Sequence, residues 1–347
     1  MNALAQIGGL AVREAGPGDH DRIADFVRAH REGTLFHMPQ WGEAVAAGCG
    51  QAGHVLIAER AGALAGVLPL TAMRSPLVGS ALVSAGFGVG GGILANDDEA
   101  AARLANAAIQ LAERIGAPGI ELRGGRSPAG WQRNEDVYAG FERDLPDEEA
   151  AILAAIPRKQ RAEVRRALSF DLEVRVGRTK RDRDDHYHVY SESVRNLGTP
   201  VFPRALFAAM LDRFADAEIL TISRQGTPLA SVLSFMFKGA IMPYWGGGTR
   251  DARRWRANEL MYFALMRHAA ERGCTRFDFG RSKVGTGAFA FKKNWGFAPA
   301  PLAYAHWGAV RETNPLSPRH RLKVEAWKRL PLWLANRMGP PIARGLG

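Results

Sequence analysis

The sequence has few cysteines and no long uncharged apolar run. Its 347 residues include two cysteines, Cys49 and Cys274, which lie far apart and belong to no metal-binding or redox motif. This spacing suggests neither a disulfide framework nor a zinc site, and it favours a reducing compartment. No apolar stretch reaches the roughly 20 residues that a membrane-spanning helix needs, and the N-terminus lacks the regions of a signal peptide. We therefore expect a cytoplasmic protein.

Acidic residues are outnumbered by basic ones. Lys and Arg total 46 against 35 Asp and Glu, which gives a formal net charge of +11. This excess attracts polyanions such as RNA, anionic lipid head groups or phosphate-bearing substrates, although a generally arginine-rich surface explains it equally well. We expect no DNA partner. The length favours two domains, each large enough for a hydrophobic core of its own.

The predicted elements recur in the same order in two halves of the chain. Each half contains two helices, three successive strands, a glycine-rich turn, a long helix and further strand. Short landmarks recur at offsets of 165, 158 and 155 residues: Gly33-Thr34 with Gly198-Thr199, Glu113-Arg114 with Glu271-Arg272, and Gly125-Arg126-Ser127 with Gly280-Arg281-Ser282. Several recurrences in one order indicate a duplicated domain.

The pattern also places these elements along the chain. The first half is predicted to have helices over 19–31 and from Pro39, strands over 54–59, 64–73, 77–84, 119–122 and 137–145, a glycine-rich turn over 86–92 and a helix over 98–115. The second half is predicted to have helices over 182–196 and 203–214, strands over 218–224, 229–237, 240–245 and 274–279, a turn over 246–248 and a helix over 258–272. Asn258 is the expected N-cap of that helix, and Gly273 is expected just after its end.

Tight turns join antiparallel neighbours, whereas the long helix of each half is a crossover to a parallel neighbour. This order matches the fold of the GCN5-related N-acetyltransferases (GNAT). The predicted fold class is therefore α/β, with two GNAT-like domains in tandem, each a mixed and mostly antiparallel sheet flanked by helices.

The stretch from Tyr244 to Phe297 carries the features of an active site. A strand, three glycines, a helix and a second strand ending in Phe277-Asp278-Phe279-Gly280 follow one another. This order brings free backbone N–H groups and a helix N-terminus to one place, where they can meet an anion or a carbonyl group. We therefore expect the active site in this stretch.

These residues resemble the FemAB family of tandem GNAT-fold aminoacyltransferases, which build peptidoglycan cross-bridges. The resemblance is carried by Tyr244 to Gly248, Asn258-Glu259 with Tyr262, Phe277 to Gly280, Phe289 to Phe297 with its Lys292-Lys293-Asn294-Trp295-Gly296-Phe297 ending, and the basic tract within 156–176. It covers residues 10 to 310. More narrowly, the overall pattern of the chain resembles, as a looser match, the FemAB-related subgroup that accompanies exosortase/PEP-CTERM sorting and exopolysaccharide systems.

The resemblance implies a GNAT-like domain over 10–147, a second and BioF2-like one over 148–312, and a basic amphipathic tail over 313–347. It implies an N-acyltransferase or aminoacyltransferase of cell-envelope or exopolysaccharide biosynthesis. The acyl donor would be a co-substrate, namely aminoacyl-tRNA, an acylated carrier protein or acyl-CoA, and no cofactor would be bound permanently. The acceptor would be a lipid-linked or small amine.

Two features depart from related patterns. The long helical-hairpin arm of some family members has no room here, and the Arg/Gln-x-x-Gly-x-Gly/Ala signature for the coenzyme A pyrophosphate is absent. The second absence disfavours acetyl-CoA. Two other functions stay open: transfer from an acyl carrier protein or long-chain acyl-CoA to a small amine, and a non-catalytic module that binds a polyanion.

Acyl transfer to an amine needs an aligned amine, hydrogen-bond donors for the oxyanion and a route for the proton. The catalytic candidates are Lys283, Asp278 and Lys292, the lysines for developing negative charge or a phosphate and the aspartate for the proton. The substrate-binding candidates are Tyr244, Trp245, Gly246, Gly247, Asn258, Glu259, Tyr262, Arg281, Ser282, Arg158, Arg161, Arg165 and Arg254.

Each candidate also has a purely structural interpretation. The glycines would form a plain hairpin turn, the lysines would be solvated, and the aromatic residues would pack in the core. Asp278 would cap or pair with Arg276 or Arg281, and Glu259 would favour the helix dipole. The arginines of 158–165 share a helical face, which is either a polyanion site or a solvated surface.

The C-terminal tail has two interpretations of its own. From Arg319 onward it carries seven Arg and Lys residues against one Glu, interleaved with tryptophan, leucine and methionine, and Pro331 interrupts any single helix. A basic amphipathic segment of this kind is typical of peripheral attachment to the inner face of an anionic membrane. Docking of the tail back onto the core is equally consistent with the pattern.

Overall fold

The computed structural model describes residues 9–75, 79–309 and 321–347, the side chain of Arg321 excepted. These residues form two compact units. Unit 1 contains the described residues within Met1–Glu135, Leu302–Thr313 and Arg344–Gly347, and unit 2 contains those within Asp136–Pro301 and Asn314–Ala343. Each unit is a mixed sheet flanked by helices, as the duplicated pattern predicts.

The described part of unit 1 is built on an eight-stranded sheet. Its strands are β1 (Leu10–Glu14), β2 (Ala52–Arg60), β3 (Ala63–Ser75), β4 (Gly79–Ser84), β5 (Leu94–Ala95), β6 (Gly119–Arg123), β7 (Gln132–Asn134) and β15 (Tyr304–Gly308). They lie in the order β1-β2-β3-β4-β6-β15-β7, and β5 pairs with β3. The helices are α1 (His20–Ala29), α2 (Pro39–Cys49) and α3 (Asp98–Ile115). The apolar face of α3 packs on this sheet and closes the core of the unit.

The described part of unit 2 is built on a seven-stranded sheet. Its strands are β8 (Tyr138–Asp144), β9 (Glu173–Gly177), β10 (Ala217–Arg224), β11 (Thr227–Phe237), β12 (Ala240–Gly248), β13 (Arg276–Lys283) and β14 (Pro299–Pro301). They lie in the order β14-β8-β13-β12-β11-β10-β9. The helices are α4 (Glu149–Ala155), α5 (Arg158–Leu168), α6 (Lys180–Leu197), α7 (Arg204–Arg213), α8 (Ala252–Trp255), α9 (Ala257–Glu271), α10 (Gly287–Asn294), α11 (Arg321–Lys328) and α12 (Leu332–Ala343).

Local chemistry sets several helix ends. The Asp97 carboxylate accepts a hydrogen bond from the Ala100 N–H at the start of α3, and Thr179 caps α6 in the same way. Gly116 and Gly198 end these two helices with φ of 69° and 82°, a conformation that glycine adopts without strain. The predicted helix over 98–115 is confirmed by α3.

Each sheet includes a strand from the other half of the sequence. The predicted strand over 137–145 is present as β8, but it pairs with β13 and β14 in the sheet of unit 2. In return β15, which belongs to the second half of the sequence, pairs with β6 and β7 in unit 1. The simple repeat in the sequence does not reveal this exchange, because strand pairing partners are chosen by tertiary packing. The two compact units divide between residues 135 and 136.

The predicted turn over 246–248 is wrong. These glycines belong to β12 and pair with Ala230, Ser231 and Val232 of β11. They are needed for close packing: a Cβ atom on Gly247 would lie 2.2 Å from the Ser193 hydroxyl oxygen, and one on Gly248 would lie 2.6 Å from Oδ1 of Asn258. The chain turns after the strand, through Thr249 to Asp251 into α8.

The predicted N-cap of α9 is also wrong by two residues. The cap position is Arg256, which has a left-handed φ of 55°, and Asn258 lies inside the first turn of the helix. The Asn258 side chain packs against Gly248 instead. Gly273 comes directly after the helix with φ of 77°, as predicted.

The tail folds back onto unit 2. As Pro331 predicts, it forms two short helices, α11 and α12, and both pack on α6. Part of the predicted tail and of the predicted strand over 77–84 lies outside the described residues. Within the described ranges, no helix combines the length and apolar character required to cross a bilayer.

Candidate functional site

Strands β12 and β13 of unit 2 run side by side for a very short distance. Among the described residues their parallel ladder holds two pairs, Ala240 with Arg276 and Ile241 with Phe277. Beyond these pairs, 242–248 of β12 and 278–283 of β13 are not paired with each other. Each strand also has an irregularity in the ladder that it forms with its other neighbour. It lies at Tyr244 in the pairing of β12 with β11 and at Phe279-Gly280 in the pairing of β13 with β8. The sheet is therefore unpaired between these two segments, a region that we call the opening.

Asp278 lies on β13 at the point where the ladder ends. Its Oδ1 accepts a hydrogen bond of 2.7 Å from the Gly280 N–H, which fixes the carboxylate. Gly280 has φ of 66°, so the bulge that supplies this N–H suits glycine. Burial raises the pKa of Asp278 to about 6. The predicted ion pairs of Asp278 do not form, because Arg276 pairs with Glu142 at 2.7 Å and Arg281 lies over the ring of Tyr138.

Lys292 is buried at the other side of the same bulge. It projects from α10, and its Nζ donates to the carbonyl oxygens of Gly280 at 3.1 Å and Arg281 at 2.8 Å. The rings of Phe141 and Phe279 lie within 6 Å of the ammonium group. Burial lowers the pKa of Lys292 to about 8, while the nearby Asp278 carboxylate raises it. The interpretation of Lys292 as a solvated lysine is therefore wrong, and two of its three N–H donors are already used.

The remaining candidates on β13 differ in environment. Ser282 is buried, and its hydroxyl has no hydrogen-bond partner among the described residues. The guanidinium of Arg281 lies 4.7 Å from the centre of the Tyr138 ring. Lys283 is half-buried, and its carbonyl oxygen accepts a hydrogen bond from the Thr286 hydroxyl. The Thr286 hydroxyl in turn caps α10, which carries Lys292.

An aromatic cluster supports this side of the opening. Tyr262 of α9 contacts Phe279, Phe291 and Trp295, with ring centroids 4.8 to 5.8 Å apart. Burial raises the pKa of Tyr262 to about 12. Glu259 lies one turn earlier on the helix, and burial also raises the pKa of its carboxyl group. Tyr262 therefore packs against the core of unit 2, and Glu259 is a partly buried acid near it on the same helix.

The β12 side is formed by different residues. Trp245 is buried and contacts Phe207 and Phe235, whereas the half-buried Tyr244 packs edge-to-face on Trp245 and Phe235. Trp245 thus packs in the core, as its structural interpretation predicts. Gly246 and Gly247 continue this edge as extended strand, so their backbone groups are available as strand edges and not as a turn.

The basic candidates lie on the helices next to this region. Arg158 and Arg165 are exposed on α5 and Arg161 is half-buried there. Arg254 of α8 lies over the ring of Trp255, which also contacts Phe170 just after α5. An ion pair between Glu163 and Arg256 connects α5 with the start of α9. The later part of α5 therefore lies near α8 and the N-terminus of α9, whereas Pro157, directly before Arg158, lies close to Gly296 after α10.

Two features of the site were not predicted from the sequence. Phe141 and Tyr138 come from β8, which the repeat assigns to the first half, and they contact Lys292 and Arg281. The second feature is the hydrogen bonding of Lys292 to the β13 bulge. A glycine directly after Phe279 was the available signal for a bulge, but nothing in the sequence identified which lysine would bind it.

Comparisons with known proteins agree with this architecture. Residues 157–293 match the acetyltransferase (GNAT) domain family. The structure is similar to that of FemX, with a TM-score of 0.67 and 16% identity over 85% of this chain and 96% of that one. It is also similar to a tandem GNAT protein from the clavulanic acid biosynthesis pathway, with a TM-score of 0.57 and 11% identity over 88% and 100% of the two chains.

A third similar structure is L-PGS from Bacillus licheniformis, with a TM-score of 0.55 and 14% identity over 92% of this chain and 99% of that one. The sequence itself matches no curated protein. Identities this low establish the fold alone. Unit 2 thus contains a domain that matches the GNAT acetyltransferases, a class that transfers an acyl group from a donor such as acyl-CoA to an amine, and the chain has the fold of tandem GNAT proteins.

Proposed function

We propose that unit 2 transfers an activated acyl or aminoacyl group to a substrate amine at the opening between β12 and β13. The observation that carries this proposal is the bulge of β13, which holds a partly buried carboxylate, Asp278, and a buried ammonium group, Lys292, within electrostatic reach of each other. Groups with pKa values moved toward neutrality in an open cleft are typical of acid–base sites.

In the proposed reaction the amine nitrogen attacks the carbonyl carbon of the acyl ester or thioester. The Asp278 carboxylate accepts the proton that the amine loses, for which a pKa of about 6 is suitable at neutral pH. The positive charge of Lys292 stabilises the oxyanion or the departing group as the bond to the leaving oxygen or sulfur breaks. The unpaired strand edges align the donor, which supplies the proximity that the reaction needs.

The donor class follows from the basic helices. Aminoacyl-tRNA, acyl-CoA and acylated carrier proteins all carry phosphate next to the acyl group, and Arg158, Arg161, Arg165 and Arg254 are suited to bind it. Lys283, Arg281 and Ser282 line the β13 edge, and Tyr244, Gly246 and Gly247 line the β12 edge. Trp245, Tyr262, Asn258 and Glu259 support these edges from the adjoining core.

Aminoacyl transfer in cell-envelope or exopolysaccharide biosynthesis, in the manner of FemAB-related proteins of exosortase/PEP-CTERM systems, is our preferred pathway. The similarity to FemX supports it. The second candidate is transfer from an acyl carrier protein or long-chain acyl-CoA to a small amine. It is supported by the match of residues 157–293 to the acetyltransferase (GNAT) domain, a class whose donors include acyl-CoA.

The test compares two adjacent lysines. The protein is incubated separately with labelled aminoacyl-tRNA, acylated carrier protein and long-chain acyl-CoA, together with an extract of amine-bearing metabolites and lipid-linked precursors, and N-acylated products are identified by mass spectrometry. We expect Lys292→Met to lower product formation by at least about a hundredfold, because it removes a charge at the reacting centre. The control Lys293→Met, at the exposed neighbour, should stay within about twofold.

The donor that labels the product identifies the reaction. Loss of labelling after ribonuclease treatment would establish the tRNA route, and labelling from the carrier protein would establish the second candidate. Equal activity of Lys292→Met and wild type would refute the assignment of this site. Tight RNA binding without any product from the three donors would favour a non-catalytic polyanion-binding module.

A further inference from the structure

Helices α11 and α12 follow each other through Pro331 and both pack on α6; we call this pair the α11–α12 hairpin, and its helix α12 has an inner face of small residues. Ala335, Gly339 and Ala343 recur every four residues along α12 and are buried. A Cβ atom on Gly339 would lie 3.0 Å from the backbone nitrogen of Val201, so the helix approaches the body of unit 2 closely. Asn336 adds a hydrogen bond of 3.2 Å to the Ser191 hydroxyl of α6. The hairpin is therefore seated on unit 2 through this inner face.

Large apolar side chains are exposed on the side of these helices away from the inner face, which we call the outer face. Trp333 is 69% exposed, Leu322 is 85% exposed and Met338 is 44% exposed. Leu197, at the end of the α6 helix on which both helices pack, is 69% exposed. These four side chains are more than half of the exposed large hydrophobic residues among those the structure describes. Their concentration on one hairpin and its supporting helix indicates an interaction surface.

The same segment of the chain also exposes cations. Lys323, Arg329 and Arg337 are exposed, and the structure gives none of them an ion-pair partner among the described residues. Glu325 is the acidic residue of the hairpin, and it pairs with Lys328 at 2.7 Å. The outer face therefore combines exposed tryptophan and leucine with an uncompensated positive charge.

We propose that this face docks on an anionic lipid bilayer. Tryptophan is suited to the boundary between head groups and acyl chains, and nearby Lys and Arg are attracted by the negative surface. A second copy of the chain fits less well, because a two-fold contact through this face would bring the same cations together. RNA would leave the leucine and methionine side chains without an apolar partner. Docking of this kind depends neither on the acyl donor nor on the reaction proposed above.

The test measures the partition of the full-length protein onto vesicles of phosphatidylcholine with and without phosphatidylglycerol. Binding is expected with the anionic vesicles alone. Trp333→Ser should weaken it by about tenfold, because the tryptophan no longer enters the interface. Arg337→Glu should weaken it by about thirtyfold, because two units of charge are changed near the surface. The fluorescence of the vesicle-bound protein is also compared with that of Trp333→Phe. If a blue-shifted component of the wild-type fluorescence is absent from the variant, the indole of Trp333 lies in the lipid.

Two control variants make the assignment specific. Val174→Ser removes a side chain that is 47% exposed on β9, close in exposure to Met338, and should leave binding within about twofold. Arg166→Glu reverses an exposed charge on α5 and should have an equally small effect. Binding that survives Trp333→Ser but is lost in Arg166→Glu would overturn the proposal in favour of α5, and a dimer that Trp333→Ser dissociates would overturn it in favour of self-association.

Discussion

The two units contain equivalent pairs of parallel strands, and they treat the space beyond those pairs differently. In unit 1 the ladder of β4 and β6 holds Leu82 with Ile120 and Val83 with Glu121, and in unit 2 the ladder of β12 and β13 has the same length. Both units therefore create the same short ladder by the same topology. The difference arises from the segments beyond the ladder.

In unit 1 protein groups occupy the position beyond the ladder. The buried Ser84 hydroxyl accepts a hydrogen bond from the Arg123 N–H at 2.8 Å, and the Arg123 guanidinium donates to the Gly88 carbonyl oxygen. The glycine-rich loop predicted over 86–92 returns to the strand, where the Gly92 N–H donates to the Arg123 carbonyl oxygen at 3.0 Å. These backbone groups beyond the ladder of unit 1 are thus hydrogen-bonded within the protein.

In unit 2 the equivalent chain leaves the sheet. After Gly248 it passes into α8 and α9, and the bulge of β13 presents Asp278, Lys292 and the unsatisfied hydroxyl of Ser282. Titratable groups with shifted pKa values are present here and the corresponding region of unit 1 has a hydrogen-bonded loop. A duplicated fold can therefore close the space beyond one short ladder with its own loop, while the space beyond the other is the site that we propose for a ligand.

The largest expected effect tests the closure of unit 1. A Cβ atom on Gly92 would lie 1.8 Å from the backbone oxygen of Gly124, which cannot move without breaking the loop. We expect Gly92→Ala to lower the free energy of unfolding by about 3 kcal/mol or more, measured by urea denaturation. Gly42→Ala is the matched control, because no atom lies within 4 Å of its added Cβ in α2, and it should raise stability by up to about 1 kcal/mol. Equal stability of Gly92→Ala and wild type would contradict the closure.

The next effect tests the buried charge of unit 2. The pKa of Asp278 is raised from its ordinary value to about 6 in the folded protein, so the folded state favours the protonated form. The protonated carboxyl group of Asp278 therefore contributes to the free energy of unfolding below its unfolded pKa, and this contribution is lost as the pH rises through about 6. Asp278→Asn should therefore raise the free energy of unfolding at pH 7 by on the order of 2 kcal/mol while abolishing acyl transfer. A variant that is less stable than wild type at pH 7 would show that the carboxylate has a structural function instead.

The pH dependence of activity should separate the two proposed catalytic groups. Activity requires the carboxylate of Asp278, with a pKa of about 6, and the ammonium of Lys292, with a pKa of about 8. The rate is therefore expected to fall about tenfold per pH unit below the first value and above the second. In Lys292→Arg the alkaline limb should move upward by more than two units, because a guanidinium stays charged. An unchanged alkaline limb in that variant would exclude Lys292 as its origin.

The smallest effect compares two buried hydroxyl groups. Ser84→Ala should cost about 1 to 2 kcal/mol of unfolding free energy, because the buried Arg123 N–H loses its acceptor. Ser282→Ala removes a hydroxyl that has no partner among the described residues, so it should be neutral or stabilising by up to about 1 kcal/mol. It should also weaken donor binding. Equal destabilisation by both substitutions would erase the distinction between the closed and the open unit.

The local elements were largely predictable from the sequence. The predicted helices and strands match the observed elements closely wherever periodicity and capping residues act within one segment, as in α3 with Asp97 and Gly116. The errors concern the glycines of β12 and the cap of α9. Three consecutive glycines are typical of a turn, but here they allow Ser193 and Asn258 to pack against a strand, and that requirement comes from segments distant in the sequence.

For the site, sequence reasoning selected the stretch that contains Asp278 and Lys292 but could not distinguish a solvated lysine from a buried one. Lysine burial depends on Phe141 of β8 and on the carbonyl groups of the β13 bulge, which meet through the exchange of strands between the sheets. The catalytic and binding roles of these residues stay predictions.

The sequence by itself determined the order of elements, the duplication and the GNAT-type fold, because hydrophobic periodicity, turns and helix ends are encoded within short segments. Tertiary structure decided which strand completes each sheet, which of the two short ladders is closed and which charged side chains are buried. Those outcomes depend on contacts between residues such as Lys292 and Gly280 or Ser84 and Arg123, and the energies of burial and hydrogen bonding that select them exist once the segments are packed together.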